Sequence, residues 1–274
     1  MAKLTESAVR LLTQQEEFPL PPIVRPRYPV VLMHGFGVLA GMRRGGHLYG
    51  AAVHLRMHGV LAFAPNVAPY NTVSFRSDMW LDRLNDILHE TGASKVNLVA
   101  HSMGGLDGRY LVSRHGLHDR IASLTTVSTP HHGTYIADYV LSRPERVRQI
   151  LANLADWVGS QAVAGAEADF RKALSELTLE HMTVSFNPSV EDHPEVRYRS
   201  FAGAAGKGTE IPINPLLRIG NAILYNAEGR NDGIVSEASA RWGEFEETVE
   251  ADHAAQVGLS LGWSPRFSSN DFYL

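Results

Sequence analysis

The 274-residue sequence contains no cysteine, which excludes disulfides, thiolate metal sites and cysteine nucleophiles together. A chain without thiols tolerates either redox environment, so the compartment stays open. No run of about eighteen apolar residues occurs without a charge, and a membrane-spanning helix is not expected. The amino-terminal "MAKLTESAVRLLTQQEEF" lacks the continuous apolar centre and small-residue cleavage site of a signal peptide. If the natural protein is exported, its leader is missing from this sequence. No block of lysine and arginine appears and the formal net charge is -4, which argues against nucleic acid as a partner.

What remains is the profile of a globular protein with a sizeable core: 44% of residues are hydrophobic and 20% charged. Length alone does not choose between one domain and two. Short apolar, β-branched runs at 28–36, 59–67, 95–102, 121–130 and 196–203 read as buried strands. Helical periods lie between them, with Leu48, Ala51, Ala52 and Leu55 on one face, then Met79, Leu81, Leu84, Ile87 and Leu88. Such alternation implies right-handed crossovers and a mainly parallel sheet covered on both faces, an α/β architecture. Residues 135–195 break the pattern. They hold no convincing strand, and Val147, Ile150, Leu151, Leu154, Trp157 and Val158 recur at helical spacing behind Ser142 and Pro144, followed by Phe170, Leu174 and Leu177. This segment reads as a helical insertion within a single domain spanning 1–274.

"VNLVAHSMGGLD" (96–107) places Ser102 where a strand pattern ends and a helix begins. A serine on such a sharp turn exposes its hydroxyl, and its neighbours must be small because strand and helix crowd there. The usual pattern is G-x-S-x-G, whereas Ala100 occupies the first glycine position and Gly104 the last. A base and an acid must complete the chemistry, in the chain order Ser, Asp or Glu, then His. Late in the chain "EGRNDGIVS" offers Asp232 in a turn, and His253 is the one histidine that follows it. Asp252 and Glu228 remain alternative acids. The oxyanion of an acyl transfer needs N–H donors. Met103, directly after the serine, supplies one, and Phe36 in "MHGFGVLAG" supplies the other.

Other histidines have structural readings. Strand alternation turns His101 away from Ser102, which suits a role beneath the turn. His34 is placed to orient the oxyanion loop. His131 and His132 have no third metal ligand at an established spacing, so loop packing is favoured over zinc.

The ordered set "VVLMHGFG", "VNLVAHSMGG", "VSTPHHGT", "RNDGIVS" and "DHAAQVG" resembles bacterial true lipases of the α/β-hydrolase superfamily, of the Pseudomonas and Burkholderia triacylglycerol lipase type. The resemblance covers roughly residues 28–260. It implies an α/β-hydrolase fold, Ser102 as nucleophile, Asp232 as orienting acid, His253 as base, and Phe36 and Met103 as oxyanion donors. It also implies that residues 135–195 contain a lid able to meet a lipid–water interface. The expected reaction is cleavage of lipid or other small aliphatic esters through an acyl-enzyme. Acyltransfer or perhydrolysis by the same residues is the alternative reading, and a non-catalytic binding protein of this fold a further one.

Besides Ala100 in place of the first elbow glycine, the sequence departs from that group at three points. It has no cysteine for the stabilising disulfide. The structural calcium of related lipases uses an aspartate two residues after the histidine, where this chain has Ala255, and no clear second aspartate lies within 203–226. No metal or cofactor is therefore expected. The family also usually continues into a terminal helix where this sequence ends at "SSNDFYL", which leaves truncation open.

Overall fold

The computed structural model describes residues 23–36, 48–143, 145, 166–259 and 267–274. Among these residues six strands form one sheet in the order β2-β1-β3-β4-β5-β6, every neighbouring pair parallel. They are β1 (Val30–Met33), β2 (Ala62–Phe63), β3 (Val96–His101), β4 (Ile121–Val127), β5 (Arg197–Gly203) and β6 (Glu244–Val249). The connecting helices include α1 (Tyr49–Met57), α2 (Val73–Thr91), α3 (Gly104–Ser113), α4 (Tyr135–Leu141), α5 (Ala166–Ser175) and α6 (Arg218–Glu228).

The period-two pattern of the strands assigns each residue to a face. In β1, Val31 and Met33 pack with Trp80, Leu84 and Ile87 of α2, while Leu32 packs with Leu48, Ala51, Ala52 and Leu55 around α1. In β3, Val96, Leu98 and Ala100 join the α2 side and Val99 borders the α1 side. The sheet is thus buried between two helical layers, as parallel sheets require.

Strand order positions the site. After β1 the chain runs outward to the edge strand β2, then crosses back so that β3 lies on the other side of β1. This reversal opens a crevice at the carboxyl ends of β1 and β3, where ligands bind in open α/β sheets. Gly35 and Ser102 follow those two ends.

Two departures from the sequence reading concern strands. The run 59–67 pairs only over Ala62–Phe63. Strand β6 was not foreseen, because "EFEETV" exposes Glu244, Glu246 and Glu247 at the sheet edge and carries little of the apolar alternation that signals a strand. In the 135–195 segment the described elements are helices, including a π-helical stretch at His181–Phe186. Ser142 caps the end of α4. Residues 146–165, which hold most of the expected lid helix, lie outside the described residues. Phe170, Leu174 and Leu177 are buried as their spacing implies. Among the described residues no helix is long and apolar enough to cross a membrane.

Candidate active site

Strand β3 ends in a turn that forces Ser102 to a φ of +56°, a left-handed conformation that costs a non-glycine residue on the order of 1–3 kcal/mol. Hydrogen bonds on both sides hold it there. The Ser102 N–H donates to the Val127 carbonyl (2.9 Å), and the Ser102 carbonyl accepts from the Thr129 hydroxyl (2.7 Å) and the Gly105 N–H (3.0 Å). Crowding explains the altered motif. The Ala100 methyl sits in the core between sheet and α2, where a methyl packs. A methyl on Gly104 would stand 2.8 Å from the Met33 carbonyl and 2.9 Å from that of His34, so only the second glycine is obligatory.

The β1 loop lies directly on this elbow. A methyl on Gly35 would fall 2.5 Å from Ser102 Cβ and 2.9 Å from the Met103 nitrogen. Phe36, next in the chain, and Met103, at the entrance to α3, therefore flank one contact. Helix α3 directs its N-terminus, and with it the positive end of its dipole, at that place. His34 pins the loop, since its Nε2 accepts from the Val67 N–H (3.1 Å).

A buried ion pair underlies the loop. Arg76 of α2 meets Asp107 of α3 at 2.7 Å, both side chains 0% exposed. The same guanidinium donates to the carbonyls of His34 (2.7 Å) and Ala68 (2.6 Å), and Trp80 Nε1 donates to Asp107 (3.1 Å). Burial pushes the Asp107 carboxyl above its ordinary value even so, against the pull of Arg76 and Trp80. Sequence reading missed this network because it joins polar positions on two helices whose packing no local pattern reveals. Arg76→Ala would leave a buried carboxylate without its cation, and a loss of about 3–5 kcal/mol is expected. Urea unfolding of the two proteins measures it, and a loss below 1 kcal/mol would contradict this account.

Asp232 and His253 meet. His253 Nδ1 donates to Asp232 Oδ2 at 2.7 Å, and the His253 N–H donates to the Asp232 carbonyl (3.0 Å). Asp232 is fully buried, and its other oxygen accepts from the N–H groups of Ile234 (3.0 Å) and Val235 (2.8 Å). Burial opposes ionisation, but the facing His253 and these donors outweigh it and hold the carboxyl below its usual value. Gln256, absent from the sequence expectation, also donates to Oδ2 (3.1 Å).

The alternative acids are engaged elsewhere. Glu228 accepts from the Tyr135 N–H (2.7 Å) and the Ser236 hydroxyl (2.5 Å). Asp252 accepts from Ala254 and Ala255 N–H through Oδ1 and from Asn214 N–H (3.0 Å) through Oδ2.

The buried His101 ring lies 4.5 Å from that of His253. The contact holds the His253 ring beside the elbow. A Ser102–His253 hydrogen bond is not formed among the described residues; such bonds commonly tighten only with substrate bound. His131 packs against Trp242 (5.2 Å, 19° between ring planes) and shares a hydrogen bond with Thr126 (3.0 Å). Burial, then the nearby Arg109, hold it well below the ordinary histidine value. That is the loop-packing role read from the sequence.

At the position of the related lipases' calcium-binding aspartate, Ala255 is buried and its side chain offers no oxygen, and Asp252 ties the loop directly to residue 214.

A parallel sheet with its strand order reversed beside a strained serine, and an Asp–His pair at the same edge, is the architecture of α/β-hydrolases. A model of the alpha/beta hydrolase fold family matches residues 28–178, and the chain belongs to this family. A triacylglycerol lipase of Pseudomonas fragi is 27% identical over 290 residues, covering 92% of this chain and 95% of its own. One from Pseudarthrobacter phenanthrenivorans is 36% identical over 121 residues. The latter match takes in 42% of this chain and 36% of that protein, so the chain spans about a third of that relative. A lipase of Burkholderia plantarii is matched to the same extent of this chain. The bacterial lipase group recognised in the motifs is thus present among the relatives. Among solved structures, mature Bacillus licheniformis lipase BlEst2 shares the fold with a TM-score of 0.64 at 24% identity, covering 90% of this chain and 91% of that one. A metagenomic carboxyl esterase has a TM-score of 0.67 at 18% identity, over 95% and 77% of the chains.

Proposed function

We propose that the protein hydrolyses carboxylic esters of lipid or other uncharged aliphatic type through an acyl-enzyme. The observation that carries this reading is the 2.7 Å Asp232–His253 pair set against an elbow whose serine has a φ of +56°. Ser102 Oγ attacks the ester carbonyl while His253 Nε2 takes its proton, and Asp232 fixes the imidazole with Nδ1–H toward itself. The carbonyl oxygen, now negative, is received by the N–H groups of Phe36 and Met103. His253 then gives its proton to the departing alcohol. Water, activated by the same histidine, attacks the acyl carbonyl and restores Ser102.

The uncharged acyl group is supported by what surrounds the loop. Phe36 packs against Tyr70 (5.0 Å) and Phe170 (5.2 Å), an aromatic wall with no ionised group of its own. Leu216 and Ile219, 84% and 72% exposed near the start of α6, suit contact with an apolar phase. Several relatives are triacylglycerol lipases, in keeping with this reading. Turnover of p-nitrophenyl esters of increasing chain length tests it. Longer aliphatic esters should be cleaved at least as well as acetate, and confinement to acetyl esters would reject lipid as the substrate class.

No metal enters this mechanism. Calcium added to the chelated protein should change neither the rate nor the melting temperature, because Asp252 holds the histidine loop by hydrogen bonds alone. A rise of several degrees on adding calcium would refute that.

A further inference from the structure

At the other end of the sheet two imidazoles stand face to face. His118, in the turn Leu117–Asp119 before β4, and His193, before β5, have ring centroids 3.8 Å apart and planes inclined by 17°. Glu195 completes a group in which one ligand atom from each residue lies within 4.8 Å of the others. We propose that His118, His193 and Glu195 form a binding site for a divalent transition-metal ion of the zinc class, separate from the ester-cleaving centre.

The donor set has the right chemistry. Two imidazoles and a carboxylate suit zinc, cobalt or nickel and are a poor match for calcium, which prefers oxygen ligands. Zinc binds imidazole nitrogen at about 2.0–2.1 Å and carboxylate oxygen at about 2.0–2.2 Å. Drawing these three atoms onto one ion takes rotation of the side chains, with water as the fourth ligand.

The backbone is already arranged for it. The His193 carbonyl accepts from Val196 N–H (3.0 Å) and the His193 N–H donates to the Tyr198 hydroxyl (3.0 Å). Pro194 between the ligands fixes one φ, so His193 and Glu195 are presented on a closed turn. The turn bearing His118 is held by Lys95, whose amine donates to the His118 carbonyl (3.2 Å). Glu195 N–H reaches His193 Nδ1 at 3.3 Å, the long limit of a hydrogen bond, so little is lost when the ring turns to an ion.

Position says what the ion does. His118 and His193 precede neighbouring parallel strands, with α4 and α5 between them in sequence. A bound ion ties the entrance of β4 to that of β5 and stabilises the native chain in proportion to the logarithm of its concentration over Kd. Seven residues of β4, rising about 3.3 Å each, put the site roughly 20 Å from the elbow, too far to touch the reacting atoms.

Zinc titration of the full chain by calorimetry, beside His118→Gln, His193→Gln and His54→Gln, decides the matter. The last controls for the His54–His58 ring pair on α1. The proposal requires one stoichiometric zinc per chain, a rise in melting temperature with zinc, and loss of both by tenfold or more in affinity for His118→Gln and His193→Gln. His54→Gln should bind as the parent does, and zinc-free ester hydrolysis should be equal in all four proteins. Equal zinc affinity in the parent and His118→Gln, or no stoichiometric binding in the parent, would overturn it. Either result leaves the ester-hydrolase reading untouched.

Discussion

Ser102→Ala should lower kcat for ester hydrolysis by about 10³ to 10⁶ with the fold intact. Members of a nucleophile–base–acid set act as a unit, so removal of the attacking oxygen forfeits nearly all of their joint contribution. On the proposed mechanism, the residual rate would come from substrate binding and the Phe36 and Met103 N–H groups. Ser102→Gly adds an informative comparison. It removes the same hydroxyl, but glycine accepts a φ of +56° without a Cβ penalty. That variant should be as inactive as the alanine one, yet more stable by roughly 1 kcal/mol. Stopped-flow or steady-state assays with paired thermal melts would check both statements. Retained turnover in Ser102→Ala would remove Ser102 from the mechanism.

Asp232→Asn should cost roughly 10⁴ in kcat, because an amide presents a donor to His253 Nδ1 and favours the wrong imidazole tautomer. Its pH signature follows from the depressed carboxyl. The native pKa of Asp232 lies below its ordinary 3.8, so ionised Asp232 contributes stability that is fully present above that ordinary value. The contribution drains away as pH falls through the lower, folded value. Asp232→Asn lacks this titration. The stability difference between parent and variant should therefore be constant at neutral pH and shrink below about pH 4. Chemical denaturation at pH 7, 5, 4 and 3 measures it. A difference that widened in acid would reverse the sign and reject the assignment of a depressed carboxyl.

The legible parts of the site are those whose chemistry is local. Ser102 announces itself through a strand, a turn and small residues within a few positions, and the rule of chain order leads to Asp232 and His253. Arg76 and Asp107 were illegible because each looks like a polar residue on an amphipathic helix until α2 and α3 pack. Gln256 was hidden for a related reason: nothing in "DHAAQVG" shows that its amide turns back to Asp232. The sheet was read through its buried strands. Strand β6 escaped, and the span of β2 was overstated, because edge strands are half solvated and lose the apolar signature that central strands carry.

The acidic edge of β6 has a consequence of its own. An unpaired strand edge invites a second chain to add to it, which is a route to aggregation. Here the invitation is withdrawn twice. One border of the sheet is the two-residue β2, too short to template anything, and the other displays Glu244, Glu246 and Glu247, whose charges repel the same edge of another molecule. Arg197 and Arg199 of β5 hold Glu244 and Glu246 in place (2.7 and 3.2 Å), so this fence of negative charge is braced from behind. A protein that exposes Leu216 and Ile219 can in this way remain dispersed while keeping an apolar face to offer.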